Sequence, residues 1–250
     1  MNLNFINSLL FHPRKSYGEI DENDILIKLE DKVKVGIRLH MISQLSPIIL
    51  FFHGNGEIGS EYDEIAQVYN QNNINFIIVD FRGYGFSNGT PNIENTQSDA
   101  HFILDFVLKY IKEKNYSGSL ILMGRSLGSV SVLELAKRYP MDFIGLIIES
   151  GFSDENPLFK LIGITAKQAG FKKENGFLNG EKIKKYSGPL LIIHAQEDHI
   201  VPLTQGELLY NSCPSKNKKF LPIPNANHNN ILAVNPQKYF TEIHKFVYHY

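Results

Sequence analysis

Cysteine is almost absent from this 250-residue chain: Cys213 stands alone, so no disulfide can close within it, and a reducing, cytoplasmic setting is expected. Nor does Cys213 suit a nucleophile. It lies in Asn211-Ser212-Cys213-Pro214, a turn at a helix end with no histidine or basic residue beside it to lower its pKa. A charge excess is missing too. Lys and Arg number 25 against 26 Asp and Glu, a net charge of −1, which speaks against nucleic acid as a partner because that usually calls for a basic stripe. There is no run of about 18 apolar residues, so no membrane-spanning helix is expected. The stretch Met1 to Phe11 lacks a cationic start, since Arg14 and Lys15 come only afterwards, and Asn2, Asn4, Asn7 and Ser8 interrupt it; no signal peptide is expected. A terminus that frays or docks on the core is favoured over an amphipathic helix in a membrane interface. Peripheral membrane contact is thus left open and unsupported.

Hydrophobic residues make up 43% of the chain and charged residues 20%, the balance of a globular protein with enough length for one large α/β domain over residues 1–250. Short apolar runs bounded by turn residues predict strands at Ile25–Leu29, Val33–His40, Pro47–Phe52, Asn75–Val79, Ser119–Met123, Gly145–Glu149, Pro189–His194 and Lys218–Ile223. The first two, separated by Glu30-Asp31-Lys32, read as a hairpin. From Pro47 onward the runs are nearly all apolar rather than alternating, as strands covered by helices on both faces must be. Between them, His101–Lys112 has helical periodicity, a helical segment follows Ser126 until Tyr139-Pro140, and a last helix is predicted to open with Asn235 as N-cap and Pro236 at its first position. Alternation of strand and helix predicts a mostly parallel sheet with right-handed crossovers.

One interval, residues 151–188, is longer than a crossover needs. Within it Leu158, Leu161, Ile162, Ala166 and Ala169 fit one helical stripe. Two readings stand side by side: a small lid over the carboxyl ends of the strands, or an ordinary crossover helix with a long loop.

Gly124-Arg125-Ser126-Leu127-Gly128 is a G-x-S-x-G pentapeptide. With 19 Gly and 17 Ser in the chain about 0.1 matches arise by chance, so the context has to decide. Leu120-Ile121-Leu122-Met123 before it reads as a buried strand, and a helix follows. A sharp strand-to-helix turn strains its central residue, and glycines two positions to either side remove the Cβ atoms that would collide there. Such a turn presents the Ser126 hydroxyl above the sheet edge, with the N-terminus of a helix facing any developing negative charge. A serine hydroxyl needs a base, and imidazole is suited to that near neutral pH.

In hydrolases built on such an elbow the acid and then the histidine follow the serine along the chain. Of the later histidines, His194 ends a strand, while His244 and His249 fall in the terminal helix as surface or packing residues. His228, in the loop Pro224–Asn230 after the last strand, is the predicted base. Glu197 and Asp198 both follow the strand ending at His194 and both are acid candidates; His199 reads as a loop residue. The acid's part is to hold the imidazole tautomer and stabilise the imidazolium. For an oxyanion hole, the loop Phe52-His53-Gly54-Asn55-Gly56-Glu57 offers freed backbone, and the predicted donors are the main-chain N–H groups of Asn55 and Leu127. His53 precedes the serine and reads as a brace of that loop.

Taken together, His53-Gly54-Asn55-Gly56, Asp80-Phe81-Arg82-Gly83-Tyr84-Gly85-Phe86-Ser87, the elbow, the block His194–Pro202 and the His228 loop resemble the α/β-hydrolase superfamily in order and spacing. The likeness is to its small-lidded branch of Bem46-like, monoacylglycerol-lipase-like and depalmitoylating hydrolases, and it extends from about Leu10 to the end of the chain. It implies an eight-stranded, mostly parallel sheet with helices on both faces and a small lid at 151–188. It also implies a Ser126–His228–Asp198 triad, with Asp198 preferred to Glu197, and bracing parts for Asp80 and Arg82. The implied reaction is hydrolysis of an ester or thioester of a small-molecule or acyl-chain substrate through an acyl-enzyme, without metal or cofactor. A peptidase or amidase on the same scaffold, and a non-catalytic binding protein, are the alternatives. This chain departs from the pattern at Ala195, where the branch usually has Gly, and at Asn225, Asn227 and Asn230 in the histidine loop; Asn tolerates left-handed backbone best among the non-glycine residues. The cysteine-rich N-terminal segment of the depalmitoylating members is absent from this sequence.

Overall fold

The computed structural model describes residues 3–29 and 32–249. Eight strands form one sheet: β1 (Asp24–Lys28), β2 (Lys34–His40), β3 (Ile48–Phe52), β4 (Asn75–Val79), β5 (Leu120–Arg125), β6 (Gly145–Glu149), β7 (Leu190–Ala195) and β8 (Lys218–Ile223). Their order across the sheet is β1-β2-β4-β3-β5-β6-β7-β8. Strand β2 runs antiparallel to β1 and β4, and every pairing from β4 to β8 is parallel. This is the α/β-hydrolase fold that the motifs imply. The β1–β2 hairpin forms as expected, although Glu30 and Asp31 of its connection lie outside the described residues.

The central strands show why their runs read as continuous apolar sequence. Along β3 consecutive residues fall into two separate cores: Ile48, Leu50 and Phe52 into one, Ile49 and Phe51 into the other. The period-2 pleat therefore buries both faces. Helices Ile93–Glu113 and Ser129–Arg138 cover the first face through Ile103, Leu104, Leu133 and Ala136, and helices Asp63–Gln71 and Pro236–His249 the second through Ala66, Tyr69, Ile243 and Phe246. Every residue of β3 to β7 except Arg125 is buried, each large apolar side chain contributing about 1.5–3 kcal/mol. The chain lays β4 on one side of β3 and then crosses to lay β5 on the other. Open α/β sheets bind ligands at such a reversal, which here falls at the carboxyl ends of β3 and β5.

Two helical expectations need adjustment. The helix expected from His101 begins at Ile93, because Asn92 and Asn95 cap it reciprocally: Asn92 Oδ1 accepts from the Asn95 N–H at 2.7 Å and Asn95 Oδ1 from the Asn92 N–H at 2.8 Å. The single stripe proposed from Leu158 to Ala169 is not one helix. It divides into Asn156–Leu161 and Ala166–Ala169 around Gly163, whose φ of 74° no helix accommodates, and Thr165 starts the second piece with a capping box to Gln168. Leu161, assigned to the stripe, is 53% exposed, while Phe159, Ala169, Phe177 and Ile183 carry the segment's buried contacts. The N-terminal helix Leu3–Leu10 docks on the core through Ile6 and Leu10. The last helix opens as expected, Asn235 Oδ1 accepting from the Lys238 N–H at 3.1 Å.

An ion pair between a buried lysine and a half-buried glutamate fastens the 151–188 segment to the sheet-covering helices. Lys182, on helix Asn179–Ile183, is 4% exposed and its Nζ lies 2.8 Å from Glu134. A hydrogen bond with His101 first, and Lys182 after it, outweigh burial and hold the Glu134 carboxyl at about 2. Lys182→Met should lower stability by about 1–3 kcal/mol at pH 7, since it leaves the half-buried Glu134 carboxylate with His101 as its remaining partner. Glu134 titrates below its ordinary 4.5, so this loss should be full above that pH and shrink as pH falls toward 2. Denaturant unfolding of both proteins from pH 7 down to pH 3 measures it, and a gap independent of pH would contradict the account.

Candidate active site

Strand β5 ends at Arg125 and a 3-10 turn, Ser126–Gly128, leads into helix Ser129–Arg138. Ser126 sits at φ 50°, a conformation a non-glycine residue adopts only when its surroundings impose it. The glycines make room for that turn. A Cβ on Gly124 would lie 2.4 Å from the Gly128 carbonyl oxygen, and one on Gly128 would lie 1.9 Å from that of Phe52 in β3. Neither of these two residues has a positive φ, so close approach, not conformational freedom, is what requires glycine.

The loops after β7 and β8 bring the acid and the histidine to the same edge. Asp198 is buried and Glu197 exposed, which separates the two candidates. Asp198 Oδ1 accepts the main-chain N–H groups of Ile200 (3.0 Å) and Val201 (2.7 Å), and Oδ2 lies 2.7 Å from His228 Nδ1. Burial alone would raise the Asp198 carboxyl, but its bonds to His228 and Val201 overcome that and hold it below the usual range. An ionised carboxylate only accepts, so Nδ1 carries the imidazole proton and Nε2, 3.1 Å from Ser126 Oγ, is free to accept one. In the histidine loop Asn225 takes the left-handed conformation at φ 60°, as Asn can. Asn227 and Asn230 do something different: their side chains accept main-chain N–H groups, Asn227 from Asn229 at 2.9 Å and Asn230 from Asn227 at 2.7 Å, closing local turns. Ala195 is fully buried in β7.

Asn55, beyond β3, is tied down by its side chain. Its Oδ1 accepts from the Tyr84 hydroxyl (2.6 Å) and the His12 N–H (2.9 Å), and its Nδ2 donates to the Leu10 carbonyl (2.7 Å). His53 is buried beneath it, packed against Phe81 and Tyr84 and 3.3 Å from Asp80. Asp80 accepts the Gly59 N–H at 2.7 Å, and Arg82 forms a two-pronged pair with Asp99 at 2.6 and 2.7 Å, so the three act as braces around this edge. His194 donates Nε2–H to the Val201 carbonyl at 2.9 Å, and burial keeps the imidazole's pKa low, so it supports the acid's loop in the neutral form. His199, His244 and His249 are exposed. Cys213 is buried, its thiol pKa pushed up by that burial, which suits an inert thiol. Among the described residues no three His, Cys, Asp or Glu side chains are grouped to hold a metal ion, and no helix is long and apolar enough to cross a membrane.

Sequence reasoning missed the polar group beside the serine. Arg125, one of the unspecified positions of the pentapeptide, reaches Glu57 with Nη1, Glu149 with Nε (3.0 Å) and the His228 carbonyl with Nη2 (2.6 Å). A signal for it existed: Arg125 and Glu149 end two otherwise apolar strands, and the β5–β6 register sets them opposite each other.

Residues 43–173, just over half of the chain, match the family described as serine aminopeptidase, S33. The chain belongs to that family. Its S33 membership places it among the serine hydrolases of the α/β-hydrolase superfamily. The chain is 27% identical over 214 residues to the bem46 protein of Schizosaccharomyces pombe, covering 82% of this chain and 70% of that one. It is 33% identical over 196 residues to the lysophosphatidylserine lipase ABHD12 of Rattus norvegicus, covering 68% of this chain and 46% of the relative, and so spans about half the length of that lipase. Among solved structures, the esterase Pf2001 of Pyrococcus furiosus superposes with a TM-score of 0.76 over 95% of this chain and 98% of its own, at 16% identity, a likeness of fold.

The tight elbow gives a direct test. Gly128→Ala should cost about 1–3 kcal/mol, because the added methyl must push the elbow off the Phe52 carbonyl. A melting temperature equal to that of the unsubstituted protein would show that the turn does not depend on this approach.

Proposed function

We propose that this S33-family chain is a serine esterase or thioesterase acting on acyl-chain substrates through a Ser126–His228–Asp198 triad. One observation carries the reading: the continuous hydrogen-bonded run from Asp198 Oδ2 through His228 to Ser126 Oγ, at 2.7 and 3.1 Å, at the carboxyl edge of the sheet. In this mechanism Ser126 Oγ attacks the carbonyl carbon while His228 Nε2 takes its proton. Asp198, kept ionised, fixes the imidazole and stabilises the imidazolium. The main-chain N–H groups of Asn55 and Leu127 receive the oxyanion, each donor contributing about 10²–10³ in rate. His228 returns the proton to the leaving alcohol or thiol. Water, deprotonated by the same histidine, then releases the acid from Ser126.

The preference for acyl esters draws on the lipase and esterase names of relatives and fold neighbours. A second reading, cleavage of an amide, draws on the family's own description as an aminopeptidase. The two readings are separable by turnover of p-nitrophenyl esters of graded chain length against aminoacyl p-nitroanilides. Ester turnover that rises with chain length and disappears in Ser126→Ala is the expected result; anilide turnover alone would favour the peptidase. Asp198→Asn should lower kcat by about 10³–10⁴-fold, because the amide permits the wrong imidazole tautomer. A kcat within tenfold of the unsubstituted enzyme would remove Asp198 from the triad.

A further inference from the structure

We infer that Arg125 is a positioning residue, which sets the His228 loop and the Asn55 loop at a fixed spacing on either side of Ser126. The inference rests on the serine-hydrolase reading above and deepens it. Arg125 is joined covalently to the nucleophile, and each of its three nitrogens goes to a different element. Nη1 meets Glu57 in the loop after β3, Nε meets Glu149 at the end of β6, and Nη2 holds the main-chain carbonyl of His228 in the loop after β8. The guanidinium is planar, so these three contacts fix its plane and with it the separation of the loops.

Each anchor is itself held. Glu57 stands two residues beyond Asn55, and its Oε2 accepts from the Gly54 N–H at 2.6 Å and the Tyr62 hydroxyl at 2.5 Å. Gly54 leaves the space for this approach, since a Cβ there would lie 2.7 Å from both Arg125 Nη1 and Glu57 Oε1. Glu149 receives the hydroxyl of Tyr239 from the terminal helix. At the histidine the division of labour is clear: Asp198 orients the ring, while Arg125 touches only the main chain and leaves Nε2 to the serine.

Stability alone does not account for the cluster. The Glu149 carboxylate is withdrawn from water here and the Arg125 guanidinium and Glu57 carboxylate are partly so, and such groups commonly gain little over well-packed apolar side chains. What an apolar replacement could not do is specify three distances at once. Geometry matters at this edge, because a displacement of about 1 Å between reacting groups can cost about 100-fold in rate. Lysine keeps the charge but has one nitrogen, which cannot serve the three directions together.

A double-mutant cycle on turnover of a p-nitrophenyl ester tests this, with circular dichroism and melting temperature as controls on folding. Arg125→Lys should lower kcat about 10- to 100-fold with KM within about twofold of the unsubstituted enzyme. In a His228→Ala background the same change should lower the residual rate several-fold less than in the unsubstituted enzyme, because only the Asn55 side of the spacing is left for Arg125 to act through. Equal losses in the two backgrounds, or a folded Arg125→Lys enzyme with full kcat, would overturn the inference. Should Arg125→Lys fail to fold, Glu149→Gln loosens the same guanidinium with an isosteric neutral side chain, and the same asymmetry between backgrounds is required of it. Turnover that survives Ser126→Ala defeats the hydrolase reading and this inference with it, whereas equal losses defeat this inference alone.

Discussion

Gly128 lies so close to the Phe52 carbonyl oxygen that a methyl group would stand 1.9 Å from it, and the functional edge of the molecule is arranged around that approach. It lets the helix Ser129–Arg138 start directly above the neighbouring strand, which in turn forces Ser126 to φ 50° at the tip of the turn. A strained residue persists only where its surroundings over-determine it. Here they do so from three sides: β3 and β6 flank β5 in parallel register, and Ser129 Oγ donates to the Ser126 carbonyl at 2.6 Å. The hydroxyl is consequently held in place by the fold, which is the preorganisation that the proposed acyl transfer would draw on.

The same edge shows how a nearly all-apolar sheet carries polar chemistry. Strands β3 to β7 are buried on both faces, so functional groups can stand only at strand ends and in the loops beyond them. Asp198, His228, Arg125 and Glu149 all obey that rule, and each has its hydrogen-bonding capacity engaged by a neighbour from another loop or strand. Burial would raise the Asp198 carboxyl if nothing opposed it; the donors around it keep it charged and able to hold the imidazole.

Much of this was legible in the sequence, for reasons that can be named. Strands buried on both faces leave continuous apolar runs, which made β3 to β7 readable, while β1 and β2 showed through their hairpin and β8 as a short run bounded by turn residues; the ends moved by a residue or two. Ser126 and His228 were readable because a glycine-flanked serine between strand and helix, and a histidine in the last loop, each have a position that the fold restricts. Asp198 and Glu197 were not separable from local sequence, because adjacent loop carboxylates differ only in which one the backbone turns inward. The helix start at Ile93 was hidden because Asn95 completes the box at Asn92, in place of the Glu or Gln that usually signals one. The 151–188 stripe misled because helical spacing continued across Gly163, where the backbone turns left-handed and the helix ends. Arg125 escaped because a pattern with an unspecified position assigns no physics to what fills it.

In the proposed reaction Ser126 is a nucleophile activated by His228 and held for acyl transfer. Incubation with a fluorophosphonate followed by peptide mass spectrometry tests it most directly. One adduct per chain is expected on the peptide containing Ser126, formed rapidly in the unsubstituted protein and far more slowly in His228→Ala. An unmodified folded protein, or an adduct on another residue, would contradict it.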